Sequence, residues 1–141
     1  MQEYIEFARM HPLLVFGFIA VLGLIAWSEF SRLTRKYKQV NAHEAVQILN
    51  KDNVTLIDVR EESETKNGII KGAKTIPLGQ LGGQLASFEK NKDKPFLVYC
   101  RSGSRSGNAC NTLTKHGFSD VYNLGGGIMS WESENLPLSR R

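Results

Sequence analysis

The 141-residue sequence is poor in cysteine and histidine, and each scarcity excludes something. Two cysteines, Cys100 and Cys110, cannot build a disulfide framework. If a helix begins near Ser104, Cys110 lies roughly 9 Å along its axis, out of bridging range of Cys100. None of the three histidines, His11, His43 and His116, stands in a context that puts a base beside a thiol, which argues against a cysteine–histidine hydrolase. The net charge of +4 is mild and comes largely from a cluster at residues 32–38 and from Arg140 and Arg141. No basic stripe interleaved with aromatics occurs, so nucleic acid is not an expected partner. Internal repeats and low-complexity tracts are also missing. The length suits one domain with a single core plus an appendage.

Acidic, lysine and arginine side chains are absent from Met10 to Ser28, a run of 19 residues. As a helix this run spans about 28 Å, close to the roughly 30 Å of bilayer hydrocarbon. The pattern predicts a short segment at 1–9, a transmembrane helix at 10–30 and a basic juxtamembrane linker at 31–38. A cleaved signal peptide fits poorly, because Glu3 and Glu6 precede Arg9 and no A-x-A site follows. Tyr4 and Trp27 are candidate interface anchors. Arg32, Arg35, Lys36 and Lys38 follow the run whereas only Arg9 precedes it. The positive-inside rule then predicts a single-pass protein with its N-terminus outside and the rest in the cytoplasm, where thiols stay reduced.

Beyond the linker, residues 39–137 read as one α/β domain and 138–141 as a basic tail. Lys38-Gln39-Val40 is a short edge strand, and Asn41 with Glu44 has the spacing of a capping box that opens a helix. Val54 to Val59 is a β-rich run that delivers Asp58 and Arg60 to the carboxyl edge of a parallel sheet. A short polar helix is expected at Glu61 to Lys66, a brief strand at Thr75 to Pro77, weak helical spacing at Leu78 to Phe88 and a solvated connector at Glu89 to Lys94. A buried strand runs from Phe96 into Cys100, a helix from about Ser104 to His116, a last strand from Val121 to Leu124 and a terminal helix from Ile128 to Glu134. Strands alternating with helices predict a parallel sheet with helices on both faces.

The stretch Tyr99-Cys100-Arg101-Ser102-Gly103-Ser104-Arg105-Ser106 carries the chemistry. It is a strand end, a small-residue turn and a helix start, so the backbone N–H groups of Arg101, Ser102, Gly103, Ser104 and Arg105 are unpaired donors that can curl around an anion on Cys100. The helix dipole and two arginines favour the thiolate, which makes Cys100 the expected nucleophile. Cys110 reads as a small core residue.

This loop, together with Gly117 to Trp131, resembles the active-site loop and C-terminal signature of the rhodanese (sulfurtransferase) family. The stretches Ile57-Asp58-Val59-Arg60-Glu61 and Gly68 to Leu78 are similar to the family's upstream motifs, with Ile69 where the family usually has His. The resemblance covers about Gln39 to Pro137 and extends to the bacterial, membrane-anchored single-domain members. It implies a sulfurtransferase: Cys100 takes a sulfane sulfur from a donor such as thiosulfate, holds it as a persulfide, and yields it to cyanide or a thiol, with no metal or organic cofactor. It also implies placement at the bacterial inner membrane, where a membrane protein is a candidate partner. Arg101 is the expected substrate-facing cation and Arg105 the expected loop brace. Asp58 is expected to pair with a loop arginine or backbone and Arg60 to help position it, although both also fit a strand-end salt bridge without a catalytic part. Two other functions fit less well. The tyrosine and cell-cycle phosphatases, and arsenate reduction, pair a cysteine and an arginine across five residues, whereas four separate Cys100 from Arg105. A tethered binding or scaffolding module would not need an intact loop.

Overall fold

The structure, a computed structural model, describes residues 1–140 and comprises two compact units that meet between Arg35 and Lys36. The first unit is a pair of helices, α1 (Gln2–Met10) and α2 (Pro12–Leu33), interrupted at His11. Pro12 causes the break: proline offers no N–H to continue a helical ladder and turns the preceding residue away from helical backbone, and His11 sits at φ −128°, ψ 58°. The segment expected at 1–9 is therefore helical, and the apolar helix runs from 12 to 33 rather than from 10 to 30. None of the 22 residues of α2 is buried. At about 33 Å it is long and apolar enough to cross a membrane.

The second unit contains β1 (Lys38–Val40), α3 (Ala42–Leu49), β2 (Thr55–Asp58), α4 (Glu62–Thr65), β3 (Lys74–Thr75), α5 (Leu78–Gln84), a 3-10 helix (Leu85–Asn91), β4 (Phe96–Tyr99), α6 (Ser104–Lys115), β5 (Val121–Leu124) and α7 (Gly127–Ser133). The five strands form one sheet in the order β1-β5-β4-β2-β3, and every pairing is parallel. Parallel strands bring their carboxyl ends to a single edge, which gathers Asp58, Cys100 and the turn after Leu124.

Period-two alternation along the central strand feeds two cores. Phe96 and Val98 join Leu81, Phe88 and Leu113 under α5, the 3-10 helix and α6. Leu97 and Tyr99 join Ala45, Ile48 and Trp131 under α3 and α7. The fold is thus the expected α/β parallel sheet with helices on both faces. Asn41 and Glu44 form the reciprocal capping box, with N–H···O distances of 2.8 and 2.9 Å.

Three boundaries differ from expectation. The glycines of Leu78–Phe88 do not dissolve the helix; it tightens into 3-10 form after Gln84 and takes in the start of the expected connector. The linker loses Ser31 to Leu33 to α2, while its last residue, Lys38, opens the edge strand β1 as expected. The tail is anchored at its start, because Ser139 and Ile69 exchange backbone hydrogen bonds of 2.8 and 2.9 Å. Sequence periodicity carries no signal for such a two-residue bridge between distant segments.

Candidate active site

Cys100 leaves β4 at the middle of the sheet, and the chain then folds back over its sulfur before α6 begins. Gly103 makes that reversal with φ +99°, a left-handed conformation that side chains rarely adopt. Its N–H donates to Cys100 Sγ at 3.1 Å. Ser106, one turn into α6 and fully buried, places its Oγ 3.4 Å from the same sulfur. Burial pushes the Cys100 thiol up, but the Ser106 hydroxyl and the backbone N–H groups of Ser106, Gly103 and Ser102 outweigh it and bring the net pKa below the ordinary thiol value. The result is a buried sulfur whose anionic form is favoured by donors that need no movement to reach it.

The loop is held from three sides. The α7 N-terminus donates its unpaired N–H groups to the loop carbonyls, Ile128 to Cys100 O at 2.9 Å and Met129 to Arg101 O at 3.3 Å. Gly127 permits this approach: its φ is +59°, and a Cβ there would collide with the carbonyl oxygens of Cys100 and Arg101. From β5, Asn123 Nδ2 donates to Gly103 O at 3.1 Å. From α4, Glu64 receives both terminal nitrogens of Arg105 at 2.7 Å each. Hydrogen bonding from Arg105 holds the Glu64 carboxyl down at about 2, and the same contact raises the guanidinium pKa.

Asp58 and Arg60 form the strand-end salt bridge, the second of the two arrangements expected for them, rather than a tie to the loop. Asp58 pairs with neither Arg101 nor Arg105; it is fully buried and accepts from Arg60 Nη2 at 2.7 Å, Arg60 Nε at 3.0 Å and the Arg60 backbone N–H at 3.0 Å. A buried carboxylate takes the nearest cation that completes its hydrogen bonds, and two residues along the chain is nearer than a loop across the sheet. Arg60 also donates to the carbonyls of Glu64 at 3.2 Å and Gly68 at 2.9 Å. The pair thereby sets the backbone of α4, and Glu64 passes that order to Arg105.

The loop residues Arg101, Ser102, Gly103, Ser104 and Arg105 surround Cys100 as one turn, with Gly103 and Ser102 contributing N–H groups to the sulfur. Arg101 is exposed, and its side chain makes no ion pair or hydrogen bond among the described residues. Ser106, Glu64, Asn123 and Gly127 were not anticipated. Ser106 alone had a local signal, since it lies two residues inside a helix whose start faces the cysteine. His116 bonds Thr112 O at 2.8 Å at the opposite end of α6 from Cys100, and His43 faces Glu134 at 3.7 Å.

Arg60, Glu64, Asn67, Arg101, Met129 and Glu132 are among the residues lining a cleft of about 240 Å³ beside the loop. A thiolate in such a ring can attack a polarised sulfur and hold the product sulfur anion, without a proton-transferring partner.

Comparison with known proteins agrees with this geometry. The chain is 36% identical over 141 residues to the uncharacterized protein YibN of Escherichia coli K12, covering 99% of each chain. It is 33% identical over 101 residues to the thiosulfate sulfurtransferase GlpE of Shewanella oneidensis, covering 70% of this chain and 96% of that protein. The crystal structure of a rhodanese-like domain protein from Staphylococcus aureus superposes with a TM-score of 0.65 at 31% identity, over 74% of this chain and 98% of the other. The family profile for the rhodanese-like domain matches residues 41–134, which take in the capping box, the sheet edge and the whole cysteine turn, and this chain belongs to that family.

Proposed function

We propose that this protein is a sulfurtransferase that moves a sulfane sulfur from a small donor such as thiosulfate to a thiol or cyanide, carrying it as a persulfide on Cys100. Family membership and relatives named as sulfurtransferases support a sulfurtransferase-like activity. The observation that carries the finer reading is the ring of donors around Cys100 Sγ, with Gly103 N–H at 3.1 Å and Ser106 Oγ at 3.4 Å. In the first half-reaction the Cys100 thiolate attacks the outer sulfur of thiosulfate, the S–S bond breaks, and sulfite leaves with the bonding pair. The persulfide anion then occupies the ring of N–H groups. In the second half-reaction an acceptor attacks the outer sulfur, and Cys100 departs as the thiolate with which the cycle began. Arg101 supplies the cation for an anionic donor. Arg105, whose two terminal nitrogens are both bound to Glu64, is committed to bracing, which counts against a phosphatase-like use of its guanidinium.

Intact mass measurement of the full chain in detergent tests this reading. Thiosulfate should add one sulfur atom, cyanide should remove it as thiocyanate, and Cys100→Ser should abolish the gain. A folded, reduced protein that gains no sulfur from thiosulfate would overturn the donor assignment and favour a binding module.

The proposed placement is at the bacterial inner membrane, with α2 as a single span and the catalytic unit in the cytoplasm. Its support is the length and apolarity of α2 and the basic residues Arg32, Arg35, Lys36 and Lys38 that follow its apolar run. Alkaline carbonate should leave the protein in the membrane fraction, and alkaline phosphatase fused after Arg141 should be inactive. An active fusion would reverse the orientation.

A further inference from the structure

The cleft beside the cysteine loop carries charges of both signs, and most of them are already spent. Arg60 is neutralised by Asp58 and Glu64 by Arg105, each pair closed at 2.7 Å. Two ionic side chains on the cleft wall remain without an ion pair or hydrogen bond among the described residues, Arg101 and Glu132. They come from different elements: Arg101 follows Cys100 directly, and Glu132 lies on α7, three residues beyond the exposed Met129. Ile128, Met129 and Leu138 give the same cleft an apolar wall.

This charge pattern offers an anionic donor one cation, Arg101, and adds a carboxylate that such a donor does not use. The open cleft contributes one positive and one negative charge, so a dianion that approaches Arg101 also faces the carboxylate of Glu132. A molecule carrying one carboxylate and one ammonium on a short apolar frame would match both free charges and the wall together.

We propose that the cleft is the subsite for a small zwitterionic thiol of the amino-acid type, with Arg101 binding its carboxylate and Glu132 its ammonium while its sulfur faces Cys100. This rests on the sulfurtransferase reading above and names the acceptor class for it. The acceptor thiol attacks the outer sulfur of the Cys100 persulfide, the bond between that sulfur and Cys100 Sγ breaks, and Cys100 leaves as a thiolate. The acceptor becomes a persulfide and retains its proton on the new terminal sulfur. No oxidant or reductant enters, because sulfane sulfur only changes carrier. Glu132 is here a specificity residue, since it lies at the cleft rather than in the ring of donors around the sulfur.

The test loads the full chain with thiosulfate to completion, removes excess donor, and follows single-turnover discharge of the persulfide by four thiols. Cysteine carries both charges, cysteamine only the ammonium, 3-mercaptopropionate only the carboxylate, and 2-mercaptoethanol neither. Each variant is compared with the unmodified protein on the same thiol, so that intrinsic thiol reactivity cancels. Glu132→Gln should slow cysteine and cysteamine by about three- to tenfold relative to 3-mercaptopropionate, as expected for one charged contact in a solvated cleft. Arg101→Gln should slow cysteine and 3-mercaptopropionate relative to cysteamine. Glu132→Lys should invert the preference between cysteamine and 3-mercaptopropionate. Equal losses across the four thiols, or no loss, would overturn the subsite assignment while leaving the sulfurtransferase reading intact. Failure to load sulfur would instead remove that reading itself.

Discussion

Cys100 and Cys110 lie ten residues apart, one just before α6 and one within it, and both are buried, at 1% and 0% exposure. Their chemistry nevertheless diverges. Burial raises the Cys110 thiol pKa strongly, and the thiolate form of Cys100 raises it further. Among the described residues the hydrogen-bond partner of Cys110 Sγ is a carbonyl oxygen, that of Tyr122 at 3.5 Å, which favours the protonated thiol. Cys100 pays the same kind of desolvation cost but meets N–H and O–H donors that prefer the anion. The difference teaches that burial does not make a cysteine inert; what matters is whether the groups around it donate or accept.

The strongest way to break this comparison is to exchange which cysteine is present. Cys100→Ser should lose all sulfur loading from thiosulfate, whereas Cys110→Ser should keep it and lose only stability through a buried hydroxyl. Loading that survives in Cys100→Ser and vanishes in Cys110→Ser would reverse the assignment. Next in size is Gly127→Ala, which pushes a methyl group into the carbonyls that orient the turn at a left-handed φ. It should cost about 2–4 kcal/mol in thermal or denaturant unfolding and lower sulfur transfer more than tenfold at temperatures where the protein stays folded.

Ser106→Ala sharpens the comparison by removing one donor from Cys100 without touching Cys110. The Cys100 thiol should titrate at higher pH, so iodoacetamide alkylation at neutral pH should fall by about three- to tenfold and recover as pH rises. An unchanged profile would leave the backbone N–H groups as the sole stabilisers. The smallest effect belongs to the brace. Glu64 has a folded pKa of about 2, below its ordinary value of 4.5, so between these values the unfolded chain binds more protons and stability increases with pH. The stabilising contribution of Glu64 is thus complete above about pH 4.5 and is lost as pH falls toward about 2. The Tm difference between the unmodified chain and Glu64→Gln should shrink over that window; a constant difference would mean that the Arg105 pair contributes nothing.

What could be read in advance follows from the range of the interactions. The capping box at Asn41 and Glu44, the break between strand and helix after Cys100, and the burial of Cys110 all arise within one turn or one strand. The bracing of the loop could not be read in this way. Glu64 reaches Arg105 across 41 positions of sequence, and Asn123 reaches Gly103 across 20. For Asp58 a loop arginine and a strand-end salt bridge with Arg60 both fitted, because sequence shows that a buried carboxylate needs a cation without showing which cation arrives first. The helical α1 was missed because nine residues of mixed character are marginal as an isolated helix.

By itself, then, the sequence determined the apolar helix, the alternation of strands and helices, and a cysteine followed by small residues at a helix start, because composition and local periodicity specify them. The tertiary structure alone decided the strand order, the closed pairs Asp58–Arg60 and Glu64–Arg105, and which charges stay free in the cleft. Those outcomes depend on distances between segments far apart in the chain, and a parallel sheet sets such distances only when its crossovers have folded.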